Sequence, residues 1–387
     1  MPDRAPLPRV LILTPAADGY GSDRALITAL AAICEHFDVV LVSAADGELL
    51  DDARSLGAEV VLSPDWALRR RGLRLVALPA TLTNVARSLW LVRRLHRRQP
   101  FDVVYANTVA NAMLPFLKRV LPVPLVVHVR EVPRDRGRMA KLLFGAVDRV
   151  ADRVVCNSAF TGELVGRLVP GLVERIHVVP DGIDPLDAVE FGAGDDDVLD
   201  VVCVGRIHPK KGQGVLIEAA RRAAADGHRW RLHFWGDALA EHEELAESLR
   251  QAVHAAGLDD AVHWHGYSAD TRSLYEGMDV AVIPSVLPEE FSLVTAEGQM
   301  VGLPVVATGP GGPSDILVDG ETGAIVPPED PAALAAAIAG FEDPQRRRRA
   351  GAAGRERTLA HFTTQRYAPA VAEQLLAVVD RSPVSHG

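Results

Sequence analysis

Short, almost unbroken apolar runs rich in β-branched residues recur along the chain, each ending at polar or turn residues and followed by a stretch with helical spacing. In the first half these runs are RVLILTP, FDVVYANT, PLVVHVRE and DRVVCNS. A strand that is apolar at every position, not at alternate ones, is covered on both faces, as in a parallel sheet between two helical layers. After DPLDAVEFGAGDDDV, whose Asp and Gly content marks a linker, a second series follows: LDVVCVGR, WRLHFWGD, AVHWHGY, DVAVIPS, LPVVATG and TGAIVPP. The pattern predicts an α/β chain with two doubly wound domains in tandem. Ligands of such sheets bind beyond the carboxyl ends of the strands, and pockets favour domain interfaces, so the cleft between the halves is the expected site.

Three helical stretches carry further information. DPAALAAAIAG, residues 330–340, has Pro near its start and Gly at its end, the usual helix punctuation. RERTLAHFTTQRYAPAVAEQLLAVVD, residues 355–380, predicts a terminal amphipathic helix. In the first half Leu82, Val85, Ala86, Leu89, Val92 and Leu95 recur at helical spacing, which predicts a helix with its arginines outside.

Length and composition narrow the class. A chain of 387 residues is too long for one ordinary core, and 48 % hydrophobic with 24 % charged residues is the range of a soluble globular protein. Cys34, Cys156 and Cys203 are far apart in apolar runs, which predicts buried free thiols and a reducing compartment. MPDRAPLPRV has no apolar signal core, and no apolar run approaches the roughly 18 to 20 residues of a membrane span. A cytoplasmic chain is expected.

The net charge of −10 is unevenly spread: residues 1–180 hold 24 Lys+Arg against 18 Asp+Glu, and residues 181–387 hold 17 against 33. Much of the basic surplus lies in residues 69–98, where Arg69, Arg70, Arg71, Arg74, Arg93, Arg94, Arg97 and Arg98 alternate with apolar residues. This segment reads either as a solvated helix face or as a surface that meets anionic lipid or an anionic acceptor, on the inner face of a membrane. The Arg346 to Arg349 run reads as a solvated face. No nucleic-acid partner is expected.

Several short stretches could carry chemistry. TPAADGYGSDRALITAL gives a Gly-containing turn and then a helix from about Ser22, and the backbone N–H groups at such a turn favour anions. Gly19-x-Gly21 lacks the third glycine of the dinucleotide fingerprint, which argues against a nicotinamide enzyme. In VCVGRIHPKKGQGVLIEAA, Arg206 lies just beyond a strand and Lys211 five residues later, before a helix with Leu216, Ile217 and Ala220 on one side. Two cations at a strand's carboxyl end suit a pyrophosphate, which Arg grips as a planar fork and Lys as a point charge. No metal site is expected. His263 and His265 flank Trp264 on one strand face without a third ligand, and Asp195, Asp196 and Asp197 fall in the linker as solvated charge.

PEEFSLVTAEGQMVGLPVV is mostly apolar yet carries Glu289, Glu290 and Glu297, so it is either half exposed or holds something polar. Glu289 reads as a strand-end loop residue and Glu297 as one to two turns into a helix that begins at about Ser292. A glycosidase pair stands about 5 to 9.5 Å apart, whereas eight residues of helix span ~12 Å. Two acids that bracket a longer ligand and accept hydrogen bonds from ribose and hexose hydroxyls fit this spacing better.

These residues resemble a known signature. EEFSLVTAEGQMVGLPVVATGPGGPSDILVDGETGAIVPPEDPAALAAAI is similar to the second half of the retaining glycosyltransferases of family 4, which have the GT-B fold of two Rossmann-like domains facing across a cleft. Glu289, seven residues, Glu297 and then Gly302-Leu303-Pro304-Val305-Val306 carry the match. VGRIHPKKG resembles the family's Gly-Arg followed by Lys-Gly, and VVPDGID its interdomain turn, with Asp181 where Asn is usual. The resemblance implies that Arg206 and Lys211 meet the donor pyrophosphate, Glu289 the transferred sugar and Glu297 the ribose. It places the Phe291, Ser292, Leu293 and Val294 backbone on the diphosphate and sugar, and Gly266 and Tyr267 near the base. In the first half YGSDR occupies the family's Gly-Gly-x-Glu turn, with Tyr20 for one Gly and Asp23 for Glu, and Gly21 lines the donor. Family members often carry a histidine near the anomeric carbon at the end of the VVHVRE strand. Here Arg130 aligns with it and His128 lies two before, on the same strand face, so both are candidates. Asn107 falls on the acceptor side.

The resemblance thus implies an acceptor-binding domain over 1–184, a nucleotide-sugar-binding domain over 185–360, and a terminal helix over 361–387 that packs back towards the first domain. The implied reaction moves a hexose-type sugar from a UDP- or GDP-linked donor to a hydroxyl acceptor, such as a glycan, lipid-linked glycan or small glycoside. Retention follows from front-face displacement, and neither metal nor cofactor is needed. A sugar-nucleotide epimerase or phosphorylase of the same fold, and a non-catalytic two-domain binding protein, are the alternatives.

Overall fold

The computed structural model describes residues 6–15, 21–68, 78–133, 137–192 and 198–380. The chain divides into two compact units, one of Met1–Gly182 with Thr364–Gly387 and one of Ile183–Thr363.

The first unit alternates β1 (Arg9–Thr14), α1 (Gly21–His36), β2 (Asp38–Ser43), α2 (Glu48–Ser55), β3 (Glu59–Leu62), α3 (Leu78–Arg98), β4 (Val103–Ala106), α4 (Leu114–Val120), β5 (Leu125–Val129), α5 (Arg138–Val150), β6 (Arg153–Cys156), α6 (Ala159–Leu168) and β7 (Ile176–Val178). Its strands form one parallel sheet in the order β3-β2-β1-β4-β5-β6-β7. The unbroken apolar strands are explained by their two covered faces. In β1, Val10 and Ile12 join a core with α1 and α2, whereas Leu11 and Leu13 join the opposite core with α3 to α6.

The second unit runs β8 (Leu199–Val204), α7 (Gln213–Ala225), β9 (Trp230–Trp235), α8 (Glu243–Ala255), β10 (Val262–Gly266), β11 (Val280–Ile283), α9 (Leu293–Met300), β12 (Val305–Thr308), α10 (Pro313–Ile316), β13 (Gly323–Val326), α11 (Pro331–Ala339) and α12 (Pro344–His361). Its sheet is also parallel, in the order β10-β9-β8-β11-β12-β13. In both sheets the strand order reverses after the third strand, between β1 and β4 and between β8 and β11, which creates a topological switch point. Asp330 caps α11 by accepting from the N–H groups of Ala332 and Ala333, with Pro331 in the first turn.

The structure departs from the sequence pattern in four places. The first sheet has β2, β3 and β7 besides the four strands read from the sequence. The terminal amphipathic stretch is two helices, because Phe362 and Thr363 leave the helix to pair with Ile183: Ile183 N–H donates to Phe362 O at 2.9 Å. The second of them, α13 (Thr364–Val379), packs on α1 in the first unit. On α3 the buried stripe is Val85, Ser88 and Val92, whereas Leu82 and Ala86 face solvent. Of the Arg346 to Arg349 run, Arg347 is not solvated but lies 3.2 Å from the buried carboxylate of Asp279.

The three cysteines are free; Cys156 and Cys203 are buried, and burial pushes both thiols up to about 12. Among the described residues no helix is long and apolar enough to cross a membrane.

Helix α12 packs against α9 and comes closest at the turn after it: a Cβ on Gly351 would lie 1.8 Å from the carbonyl oxygen of Gly302. Gly351→Ala is therefore expected to lower the urea midpoint, with a cost of about 1–3 kcal/mol for the forced separation. Ala352→Ser, one position on and exposed, should stay within about 0.5 kcal/mol of wild type.

Candidate active site

The residues singled out in the second half converge on one edge of its sheet. Arg206 and Lys211 follow β8 and Glu289 to Val294 follow β11, on either side of the switch point, while Gly266 ends the edge strand β10 and Tyr267 follows it, all at carboxyl ends of strands. Beyond β8 the chain turns through a 3-10 segment, Pro209–Lys211, capped by the His208 ring, which accepts from Lys210 N–H at 3.0 Å. Gly212 then takes a left-handed conformation (φ 72°) before α7. No other residue fits there, since a Cβ would lie 1.9 Å from Pro284 O. This close approach ties the β8 loop to the β11 loop, and Val286 N–H donates to Lys210 O at 2.9 Å alongside it.

Glu289 is buried in this junction. Its side chain is 9 % exposed, and one oxygen receives Lys211 Nζ at 2.7 Å and Ser285 Oγ at 2.6 Å. Ser285 is itself held, as its carbonyl accepts from Thr308 Oγ1 at 2.5 Å, and Gly312 N–H donates to Glu289 O at 2.7 Å. Burial opposes ionisation of Glu289, but the Lys211 charge and the two hydrogen bonds outweigh it, so the carboxyl lies below its ordinary range. Of the two readings of the acid-bearing apolar segment, the second holds: Glu289 is buried and holds a polar partner. Lys210 makes a looser pair with Glu290, at 3.6 Å.

Ser292 caps α9, so the helix begins at Leu293, and its Oγ accepts from Thr295 N–H at 3.4 Å. Phe291 packs beneath with Ala296, Met300 and Phe362. Half-buried Glu297 receives the Tyr275 hydroxyl at 3.3 Å. Burial and the Glu297 charge raise the Tyr275 phenol well above its usual value, which keeps it a donor. At the end of β10, Tyr267 is 76 % exposed and its N–H reaches Asp237 Oδ2 at 3.2 Å.

The histidines read as one strand face do share it. His263 and His265 both stack with His233, which also bonds to Asp200 Oδ1 at 2.9 Å, and Trp264 stacks on Phe234. Among the described residues no group of three or more His, Cys, Asp or Glu is arranged to hold a metal ion. Asp195, Asp196 and Asp197 lie outside the described residues, as do Gly19, Tyr20, Arg69, Arg70, Arg71 and Arg74.

In the first unit, Asn107, His128 and Arg130 meet in one buried network at the carboxyl ends of β4 and β5. Arg130 donates to Asp181 Oδ1 at 2.5 Å, to Asn107 Oδ1 at 3.3 Å and to the Tyr367 hydroxyl. Asp181 also accepts from Asn157 Nδ2 at 3.2 Å. Burial disfavours the Arg130 charge, but Asp181 and the two tyrosines more than restore it and raise its pKa further. His128 shares a 2.6 Å hydrogen bond between Nδ1 and the Tyr105 hydroxyl, and its Nε2 has no partner among the described residues. Burial first, and then the Arg130 charge, lower His128 well below its usual value, so its imidazole is neutral. Gly21 is the first residue of α1, and Asp23 is buried in its first turn.

Sequence reasoning missed Lys210, Ser285, Asp237, Thr308 and Tyr367. A signal existed for Lys210 and Ser285, which stand beside Lys211 and at the end of DVAVIPS. None existed for Tyr367, which is 237 residues from Arg130.

Comparison with known proteins gives a consistent picture. The family model described as Glycosyltransferase Family 4 matches residues 24–185, and that described as Glycosyl transferases group 1 matches 199–341. A D-inositol 3-phosphate glycosyltransferase of Geodermatophilus obscurus is 30 % identical, over 84 % of this chain and 80 % of its own. A glycogen synthase of Mycobacterium tuberculosis is 29 % identical over 71 % and 69 %. Among solved structures, Anabaena HepE in complex with UDP and glucose superposes with a TM-score of 0.77 at 22 % identity, covering 95 % of this chain and 99 % of its own.

Three outcomes follow from the buried charges. A carboxyl whose folded pKa is depressed contributes stability above its unfolded value, about 4.3, and loses that contribution as pH falls through the folded value. Urea midpoints of wild type should therefore fall more steeply than those of Glu289→Gln below about pH 4.3. With Lys211→Ala only the Ser285 hydrogen bond and the Lys210 charge still oppose burial, and an NMR titration of the labelled Glu289 carboxyl should find it higher than in wild type. Asp181→Ala, which strands the Arg130 guanidinium, should cost about 3–5 kcal/mol in a denaturant titration.

Proposed function

The chain belongs to glycosyltransferase family 4, and on that premise we propose that it moves a hexose-type sugar from a UDP- or GDP-linked donor to a hydroxyl acceptor, with retention at the anomeric carbon. The observation that carries this reading is the Lys211–Glu289 contact of 2.7 Å at the switch point of the second sheet. It sets an ammonium group that suits a diphosphate beside an ionised carboxylate that suits sugar hydroxyls.

In the reaction the bond between the anomeric carbon and the diphosphate oxygen breaks, and a bond to the acceptor oxygen forms on the same face. The acceptor's proton passes to the leaving phosphate oxygen. Arg206 and Lys211 stabilise the charge that builds on the diphosphate, as fixed donors do in an oxyanion hole. The backbone N–H groups at the start of α9, from Leu293 and Val294, face the same charge from a helix N-terminus, with Phe291 and Ser292 leading into it. Glu289 accepts from hydroxyls of the transferred sugar and Glu297 from those of the ribose. Gly266 and Tyr267 adjoin the base, and Gly21 the donor from the first domain. The cations that meet the diphosphate in this reading are protein side chains, and it needs no cofactor.

Residues 1–184 bind the acceptor in this reading, with Asn107 on that side, and 185–360 bind the donor. Arg130 is assigned a positioning role, because its guanidinium is already engaged by Asp181, Asn107 and Tyr367. His128 is left to approach the sugar. The relatives' names differ in acceptor, inositol 3-phosphate for one and glycogen for the other, so the acceptor is assigned only as a hydroxyl compound. The free cysteines support a cytoplasmic setting, with peripheral contact at the inner face of a membrane.

The test is release of UDP or GDP from a panel of nucleotide sugars in the presence of acceptor extracts, with the product's anomeric configuration read by NMR. Arg206→Ala or Lys211→Ala should lower kcat/KM by about 100-fold. Glu297→Ala should act mainly on donor KM, and Glu289→Gln mainly on kcat, with a smaller loss of the affinity that the sugar adds to the nucleotide. Epimerised donor without acceptor would sink the transferase reading in favour of an epimerase, and full turnover by Lys211→Ala would remove its phosphate argument.

A further inference from the structure

Helices α3, α4 and α5 pack in sequence on one face of the first unit's sheet, and together they carry an unusual surface. They hold ten Lys and Arg residues against one acidic residue, Asp148, in a chain whose net charge is −10. Asp148 is already paired with Arg175. On α3, Arg87, Arg93, Arg94, Arg97 and Arg98 make no ion pair among the described residues. On α7, by contrast, Arg221 and Arg222 share the carboxylate of Glu218 on their own helix.

Large apolar side chains stand exposed among these cations. Leu82 and Trp90 on α3 are 57 % and 61 % exposed, and Leu142 on α5 is 65 % exposed, with Phe116 of α4 and Met139 of α5 also open to solvent. Arg94 lies over the Trp90 ring, 5.3 Å from its centroid. Beside Trp90 a groove of about 500 Å³ is lined by Pro64, Thr83, Ala86, Arg87 and Leu91. The helical register of α3 puts Leu82, Ala86 and Trp90 on the same side as Arg93, Arg94 and Arg97.

We propose that the outer face of α3, α4 and α5 is a docking surface for an anionic phospholipid bilayer. The choice of occupant follows from the pairing of features. Unneutralised arginines are drawn to the negative surface potential of such a bilayer, while tryptophan and aliphatic side chains enter the headgroup boundary. A dissolved polyanion would satisfy the arginines and leave the apolar residues in water. The surface is broader than residues 69–98, because two of its most exposed apolar residues, Met139 and Leu142, come from α5. The inference stands apart from glycosyl transfer, and its test measures no turnover.

The experiment is co-sedimentation of the full chain with phosphatidylcholine vesicles, with and without phosphatidylglycerol, at ~0.05 M and ~0.5 M salt. Binding is expected to the mixed vesicles and to fall at high salt. Arg93→Glu with Arg97→Glu should weaken it by about tenfold or more. Trp90→Ser should weaken it several-fold at both salt concentrations, with each variant melting at the wild-type midpoint. Equal binding to both vesicle types, no binding to either, or variants that bind as wild type would overturn the proposal. Retention of soluble polyphosphate by a chain that ignores vesicles would also overturn it.

Discussion

A carboxylate removed from water keeps its charge only if the protein replaces the lost hydration, and Glu289 imposes that requirement on the second unit. Its partner, Lys211, comes from the loop after β8, whereas Glu289 itself follows β11. The two strands are neighbours only because the sheet reverses its order there. Fold and charge thus constrain each other. The switch point brings the loops together, and the ion pair, the Ser285 hydrogen bond and the close passage of Gly212 under Pro284 hold them in register.

The first unit solves a related problem with the opposite sign. Arg130 is buried at the end of β5, and the charge that keeps it there comes from Asp181. An Asn could share a hydrogen bond but could not balance a guanidinium. Asp181 and Arg130 are therefore best understood together. Tyr367 completes the shell from α13, after the chain has returned from the second unit. His128, kept neutral beside this cation, stays available for hydrogen bonding.

Much of this was legible in the sequence, for reasons that differ by element. All six strands of the second sheet announced themselves, as did β1, β4, β5 and β6: most are buried along their length and read as runs of apolar residues, whereas β9 alternates buried Trp230, Leu232 and Phe234 with half-buried positions and β10 is only partly buried. β3 is half exposed at the sheet edge and β7 spans three residues, so neither leaves such a run. β2 is as apolar as β1, and its DVVLVS run was present to be read. The break at Phe362 and Thr363 was hidden because apolar spacing continues across it while the cause lies at Ile183. At the site, Arg206, Lys211, Glu289 and Glu297 were visible through local spacing and family resemblance. Asp237 and Tyr367 were not, because they matter only through partners brought near by the fold.

The central claim is that Lys211 and Glu289 divide the donor between them, the lysine taking the diphosphate and the carboxylate the sugar. Calorimetric titration of UDP and of the matching UDP-sugar into wild type, Lys211→Ala and Glu289→Gln tests that division directly. The account predicts that the lysine variant loses affinity for both ligands, whereas the glutamine variant binds UDP as wild type does and loses only the added affinity of the sugar. UDP bound as tightly by Lys211→Ala as by wild type would contradict it.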